Sequence, residues 1–101
     1  MIARIWHGTT RAEHFEEYWQ FLRQRAIPDY RATPGNLGVR LLRRLDGERA
    51  HFLTMSFWPS LDAIRAFAGD NIERAKYYPE DTRWLLELEP TVQHYEITDP
   101  Y

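Results

Sequence analysis

The residues that could do chemistry in this chain are its aromatic rings and its imidazoles. Six tyrosines, four tryptophans and four histidines occur in 101 residues. A ligand pocket is usually apolar with a few placed polar groups, and this composition suits one that holds an aromatic molecule. Trp58, Trp6, Trp84 and Phe15 are the candidate walls. The candidate polar groups are His94, His7, Asn36, Arg40, Tyr77 and Tyr78. A histidine titrating near neutrality in an aromatic pocket suits a general base or a ligand hydrogen bond, which makes His94 the expected base. Tyr77 or Tyr78 would orient a phenol, and Arg40 would hold an anion. Each has a plainer alternative. Trp58 would be core, His94 a satisfied half-buried side chain and His7 solvent-exposed. One of the tyrosine rings would pack inward, and Arg40 would belong to a charged hairpin edge with Arg43, Arg44 and Arg49.

Several other chemistries are excluded. The chain has no cysteine, so disulfides and thiolate chemistry are absent. Its two serines, Ser56 and Ser60, lie in no Gly-x-Ser-x-Gly elbow. The five glycines form neither a phosphate loop nor a dinucleotide fingerprint. His14 and Glu17 stand one helical turn apart, but a solvated helix face explains them, so no metal and no cofactor is expected. The net charge of −2 argues against nucleic acid as a partner. Neither a signal peptide nor a membrane span is expected, and the cytoplasm is the expected location.

The elements that must position these residues follow from periodicity and punctuation. Residues 2–7 alternate as a first strand that Gly8 ends. Thr10-Arg11-Ala12-Glu13 has capping-box spacing, and the helix it opens places Ala12, Phe15, Trp19, Leu22 and Ala26 on one face. Pro28 is expected to end that helix near Ala26. Strands follow at 37–45 and 49–58, joined by the tight-turn signal Asp46-Gly47. Neither face of 49–58 reads as a solvent face. Pro59 ends the strand at Trp58, and Ser60 is placed to cap a short helix with Leu61, Ile64, Phe67 and Ala68 inward. Asp70-Asn71-Ile72-Glu73 reads as another helix start. Pro79 opens a further helix with Trp84, Leu85 and Leu88 inward. Pro90 stops it, residues 92–98 form the last strand, and 99–101 are a tail.

The order β-α-β-β-α-β specifies a single α+β domain over 1–101, with ferredoxin-like helices on a four-stranded antiparallel sheet. If the second face of the sheet is apolar it needs a cover, and a symmetric homodimer is the simplest one.

The run Trp58-Pro59-Ser60-Leu61-Asp62-Ala63-Ile64-Arg65-Ala66-Phe67 resembles the antibiotic biosynthesis monooxygenase superfamily. That group is marked by a Trp ending the third strand, then Ser, an apolar residue, an acid, and Ala with a second apolar residue. The likeness extends through Gly69-Asp70, Tyr77-Tyr78-Pro79-Glu80-Asp81 and His94-Tyr95-Glu96-Ile97. It implies a dimeric α+β barrel with a pocket between helices and sheet in each subunit. Members include cofactor-free monooxygenases that oxidise polycyclic phenols to quinones, and haem-degrading enzymes. The cofactor-free oxygenases surround substrate with a strand Asn, a Trp and Tyr or Arg groups, and Trp58 matches the Trp. The haem degraders pair an Asn on the first strand with a Trp and a helix His, whereas this chain has Trp6-His7 on that strand. The expectation is a homodimeric, cofactor-independent monooxygenase acting on an apolar or aromatic small molecule. The alternative is a non-catalytic dimeric module of the same fold that binds a small ligand or haem. In a third case the chain's own side chains fill the pocket.

Overall fold

A computed structural model describes residues 1–99; Pro100 and Tyr101 of the expected tail lie outside the described residues. Four strands, β1 (Ile2–Arg11), β2 (Gly38–Asp46), β3 (Arg49–Trp58) and β4 (Gln93–Glu96), form one sheet in the order β2-β3-β1-β4. Every pairing is antiparallel, which gives the α+β ferredoxin-like arrangement expected from the element order. Among the described residues no helix is long and apolar enough to cross a membrane.

The register sorts the sheet into two faces, because side chains alternate along each strand. Arg4, Trp6, Gly8 and Thr10 of β1 stand beside Ser56, Thr54, Phe52 and Ala50 of β3, on the face that the helices cover. The residues between them, Ile5 and His7 of β1 and His51, Leu53, Met55 and Phe57 of β3, are half-buried on the open face. Both faces of β3 are therefore apolar. Arg40 pairs with Met55 in the ladder and is exposed on the open face.

The first helix departs from expectation at both ends. β1 continues to Arg11, because Ala12 donates its N–H to the Glu48 carbonyl across the hairpin at 2.8 Å. The Thr10 hydroxyl bonds the Arg11 carbonyl and caps nothing. A 3-10 turn (Ala12–His14), α1 (Phe15–Phe21), a π-helical turn (Leu22–Ala26) and α2 (Ile27–Ala32) then run on without a break. Pro28 does not end the helix. It falls in the first turn of α2, directly after the π turn, where its missing N–H is tolerated. The residues that face the sheet are Tyr18, Leu22, Ala26 and Tyr30, all buried, whereas Trp19 is only half-buried. Four-residue spacing in an α-helix drifts about 40° per step. The wider π turn takes that drift back, which keeps the four in line over β1 and β3.

The second half is less regular than its pattern. Ser60 accepts the Ala63 N–H, and a 3-10 turn (Asp62–Ile64) leads into α3 (Arg65–Ala68), which ends at Gly69 with φ +84°. Ile64 and Phe67 face inward as expected, but Leu61 is exposed. No helix forms at 70–76. Instead Ala75 donates to the Pro90 carbonyl and Val92 to that of Glu73, so two extended segments bridge at Arg74 and Thr91. Partners distant in sequence outcompete the local cap. Pro79–Arg83 is a 3-10 turn, not a longer helix, and Leu88 is exposed.

Gly8 marks a close approach. A Cβ there would meet the Trp6 ring at both Cη2 and Cζ2 (2.7 Å from the latter) and Leu85 at 3.0 Å. Gly8→Ala is expected to lower unfolding free energy by about 1–3 kcal/mol, as overpacking does. Urea denaturation measures this, and the loss should shrink when Trp6→Phe shortens the ring first.

Candidate functional site

The line Tyr18–Leu22–Ala26–Tyr30 roofs a small cavity between the first helix and the sheet. Trp6 and Thr54 supply its floor, Phe67 one wall, and Tyr78, Lys76 and Asp81 the side formed by the second half. Its volume is about 20 Å³, room for one water molecule.

The hydroxyls around it are all engaged. Tyr18 donates to Asp81 Oδ1 at 2.7 Å, and Asp81 Oδ2 accepts the Tyr78 backbone N–H at 2.7 Å. Tyr30 and Thr54 share a hydrogen bond of 2.8 Å. The Tyr78 hydroxyl donates to Asp29 Oδ2 at 2.5 Å, and Lys76 Nζ reaches the same oxygen at 2.9 Å. The Tyr30 and Phe67 rings stack with centroids 4.2 Å apart, and Lys76 Nζ lies 4.4 Å from the Phe67 centroid.

Burial raises the pKa of Asp81, although the bonds from Tyr78 and Tyr18 pull it back. A carboxylate that binds protons more tightly than usual, at the wall of an aromatic cavity, is equipped to accept a proton from a ligand. Tyr18 and Tyr78 are driven the same way, by burial first and then by their carboxylate partners, so both stay protonated donors. Asp29 goes the other way: its burial is outweighed by the bonds from Tyr78 and Lys76, and it stays ionised.

A second polar cluster lies beneath this cavity. Arg4 is 1% exposed and donates to the carbonyls of Ile72 and Arg74 (3.0 Å for the latter) and to His94 Nε2 at 3.0 Å. Its Nε–H has no partner among the described residues. Because Arg4 donates, His94 Nε2 accepts, and the ring is neutral with its proton on Nδ1. Burial and the Arg4 charge both lower the His94 pKa.

The structure brings together only part of the expected set. Trp6 and Tyr78 line the cavity. Trp58 is fully buried, donates from Nε1 to Ser56 Oγ at 2.9 Å and lies behind Phe67, with ring centroids 6.0 Å apart. Tyr77 packs its edge on Trp6 and donates to the Glu89 carbonyl. Trp84 packs on Tyr18 and Phe21 and donates to Glu17, on the outer side of the helix. Phe15 lies between Phe52 and the Arg43 guanidinium. Asn36 closes a turn onto Gly38. His7 bonds Glu89 and His51 on the open face, which Arg40 shares. His94 faces the helix side but is held by Arg4.

Sequence reasoning missed Tyr18, Asp81, Lys76 and Arg4. The four-residue spacing of Tyr18, Leu22, Ala26 and Tyr30 was a signal for the first. Arg4 carried none, since an arginine in an alternating strand reads as solvent-facing.

The low His94 pKa makes stability depend on pH. Between its folded value and the ordinary 6.5 the unfolded chain binds more protons, so stability rises with pH across that window. It is lost as pH falls through the folded value. His94→Gln should remove this slope, and the difference between the wild-type and variant denaturation profiles against pH measures it.

Neither a protein-family model nor a curated protein matches the sequence. Solved structures do match. A crystal structure of an antibiotic biosynthesis monooxygenase superposes with a TM-score of 0.68 at 16% identity, over 98% of this chain and 100% of the other. The haem degrader MhuD from Mycobacterium tuberculosis, with two haems bound in its active site, gives 0.66 at 21% identity, over 100% and 99%. An MhuD variant with two manganese protoporphyrins per active site gives 0.63 at 18%, over 100% and 98%. The cavity here does not fit a haem. No histidine lines it, its tyrosine hydroxyls are bonded, and its volume of about 20 Å³ is that of a single water molecule. The chain thus shares its fold, across nearly its whole length, with structures of antibiotic biosynthesis monooxygenases and of a haem degrader.

Proposed function

We propose that this chain is a homodimeric, cytoplasmic oxidoreductase that oxidises an electron-rich aromatic small molecule with oxygen and no cofactor. The reading is supported above all by one observation, the buried Asp81 carboxylate beside the Tyr18 hydroxyl at the wall of an aromatic cavity. Asp81 takes the place first expected of His94, whose Nε2 is occupied by Arg4. Trp6 forms the floor and Phe67 a wall, and Tyr78 orients the phenol from the side.

The chemistry balances with oxygen as the sole oxidant. Asp81 accepts a proton from the activated methylene of a hydroxyanthrone-like phenol. The resulting anion passes electrons to oxygen and forms a carbon–oxygen bond as a peroxide, which takes back the proton from Asp81. Loss of water then leaves a carbonyl, so one oxygen atom enters the product and the other leaves as water. A polycyclic ligand is larger than one water, so binding it requires the rings that line the cavity to separate.

The half-buried Ile5, Leu53, Met55 and Phe57 on the open face support pairing with a second copy. Leu53→Asp places a charge at the centre of that face. Sedimentation velocity should show a dimer for the wild type and a monomer for the variant.

Oxygen uptake with a hydroxyanthrone, measured against the spontaneous rate, tests the activity. Asp81→Asn should slow it by about 10²–10⁴-fold, the usual weight of a positioned general base, while circular dichroism stays unchanged. Equal uptake by wild type and variant would remove Asp81 from the reaction. A second reading, a ligand-binding module without catalysis, is favoured by the cavity's satisfied hydroxyls. It predicts retention of the anthrone with no uptake above the spontaneous rate.

A further inference from the structure

Two histidines meet on the open face of the sheet. His7 of β1 and His51 of β3 are both half-buried, and His7 Nε2 lies 3.0 Å from His51 Nδ1. The far nitrogen of each ring is turned to a carboxylate. His7 Nδ1 stands 2.6 Å from Glu89 Oε2, and His51 Nε2 stands 3.6 Å from Asp46 Oδ2. None of these four residues lines the cavity between helix and sheet.

The protons of this cluster decide what it can hold. The Glu89 carboxylate accepts, so His7 carries its proton on Nδ1 and presents a lone pair at Nε2. His51 donates to that lone pair from Nδ1, which turns its own lone pair, at Nε2, toward the Asp46 carboxylate. Moving the His51 proton to Nε2, where Asp46 can accept it, is a change of tautomer without a change of charge. It leaves two lone pairs facing each other at 3.0 Å, an arrangement that only a cation between them stabilises. Two nitrogens bound to one ion at about 2.0–2.1 Å with a tetrahedral angle stand about 3.3 Å apart, a few tenths of an ångström from the spacing here. A turn of each ring about its Cβ–Cγ bond aims both nitrogens at one point, and the half-buried side chains have room for it.

The surroundings fit an ion. A carboxylate behind each ligating imidazole is the outer shell that fixes tautomer and ring orientation in metal sites. Arg44 is the nearby cation, and it lies 3.6 Å from the same Asp46 oxygen, while Arg43 is engaged by Glu16 at 3.0 Å. The two histidines also border a groove of about 290 Å³ with Leu42 and Leu53, which gives water access to the ion's remaining positions.

We propose that His7 Nε2 and His51 Nδ1 chelate one divalent transition-metal ion of the zinc, nickel or copper class, completed by water from the groove, which clamps β1 to β3. Imidazole nitrogen selects that class over magnesium and calcium, which take oxygen ligands. The inference is independent of the proposed oxidation, whose residues lie on the other face of the sheet.

Calorimetric titration of metal-free protein with Zn²⁺ should show one ion per chain, and Mg²⁺ should give no binding. Saturating Zn²⁺ should raise the melting temperature, because an ion held only by the folded chain stabilises it. His7→Gln and His51→Gln should each abolish the site and the rise, whereas His14→Gln should bind as the wild type does. Glu89→Gln, which removes no ligand, should weaken binding by about tenfold through the orientation of His7. Cu²⁺ in place of Zn²⁺ should show coupling to two imidazole nitrogens in its electron paramagnetic resonance spectrum. That count is read on the wild type, so it decides even if a variant fails to fold. No binding of Zn²⁺, binding as tight in His51→Gln as in the wild type, or a copper spectrum with fewer than two nitrogens overturns the site.

Discussion

The Arg4 guanidinium joins parts of the molecule that lie far apart in the sequence. It rises from β1, binds the carbonyls of Ile72 and Arg74, meets His94 on β4 and lies under Phe67 of α3. Residues 69–78 contain no regular element, so their backbone needs partners elsewhere. Arg4 supplies them from one side, and the bridge between Arg74 and Thr91 from the other. The placement of Lys76 and Tyr78 at the cavity follows from that tie. A hydrophobe at position 4 would pack against the sheet but leave those carbonyls unpaired.

The interior is a compromise between a packed core and a site. Tyr18, Tyr30, Phe67 and Trp6 fill the space between helix and sheet so well that one water's volume remains. Each hydroxyl there has a partner, which fixes the rings and keeps the core specific. Two groups are left out of balance: a carboxyl at Asp81 pushed toward its neutral form, and an Arg4 guanidinium whose Nε–H has no partner among the described residues. Strained ionisation of this kind, at a cavity between layers, is where chemistry is usually found. The π turn at Leu22–Ala26 belongs to the same compromise, because it keeps the inward line of the helix straight enough to cover the cavity from end to end.

Much of the architecture was legible because it depends on short-range rules. Alternation marked β2 and β3, Asp46-Gly47 set their hairpin, and Pro59 with Ser60 fixed the junction after Trp58. Pro28 does not end the helix as its type suggests, because it falls in the first turn of α2, where its missing N–H is tolerated. The Asp70-Asn71-Ile72-Glu73 cap was misread for a different reason: a local hydrogen bond competes with pairing to Pro90 and the Glu73–Val92 contact, and the pairing wins in the folded chain. Of the site, Trp6 and Tyr78 were legible as aromatic candidates. Trp58 marked the junction correctly but packs behind Phe67 as core, its indole N–H bonded to Ser56.

The sequence by itself determined the element order, the β-α-β-β-α-β topology and the apolar character of both faces of β3. These follow from period, punctuation and composition, which act between near neighbours. Only the tertiary structure decided which rings meet, that Asp81 turns inward to Tyr18, that Arg4 is buried against backbone carbonyls and that His94 is taken up by it. Those facts depend on residues separated by 63 to 90 positions in the chain coming within hydrogen-bond distance, and no local pattern encodes a contact of that range.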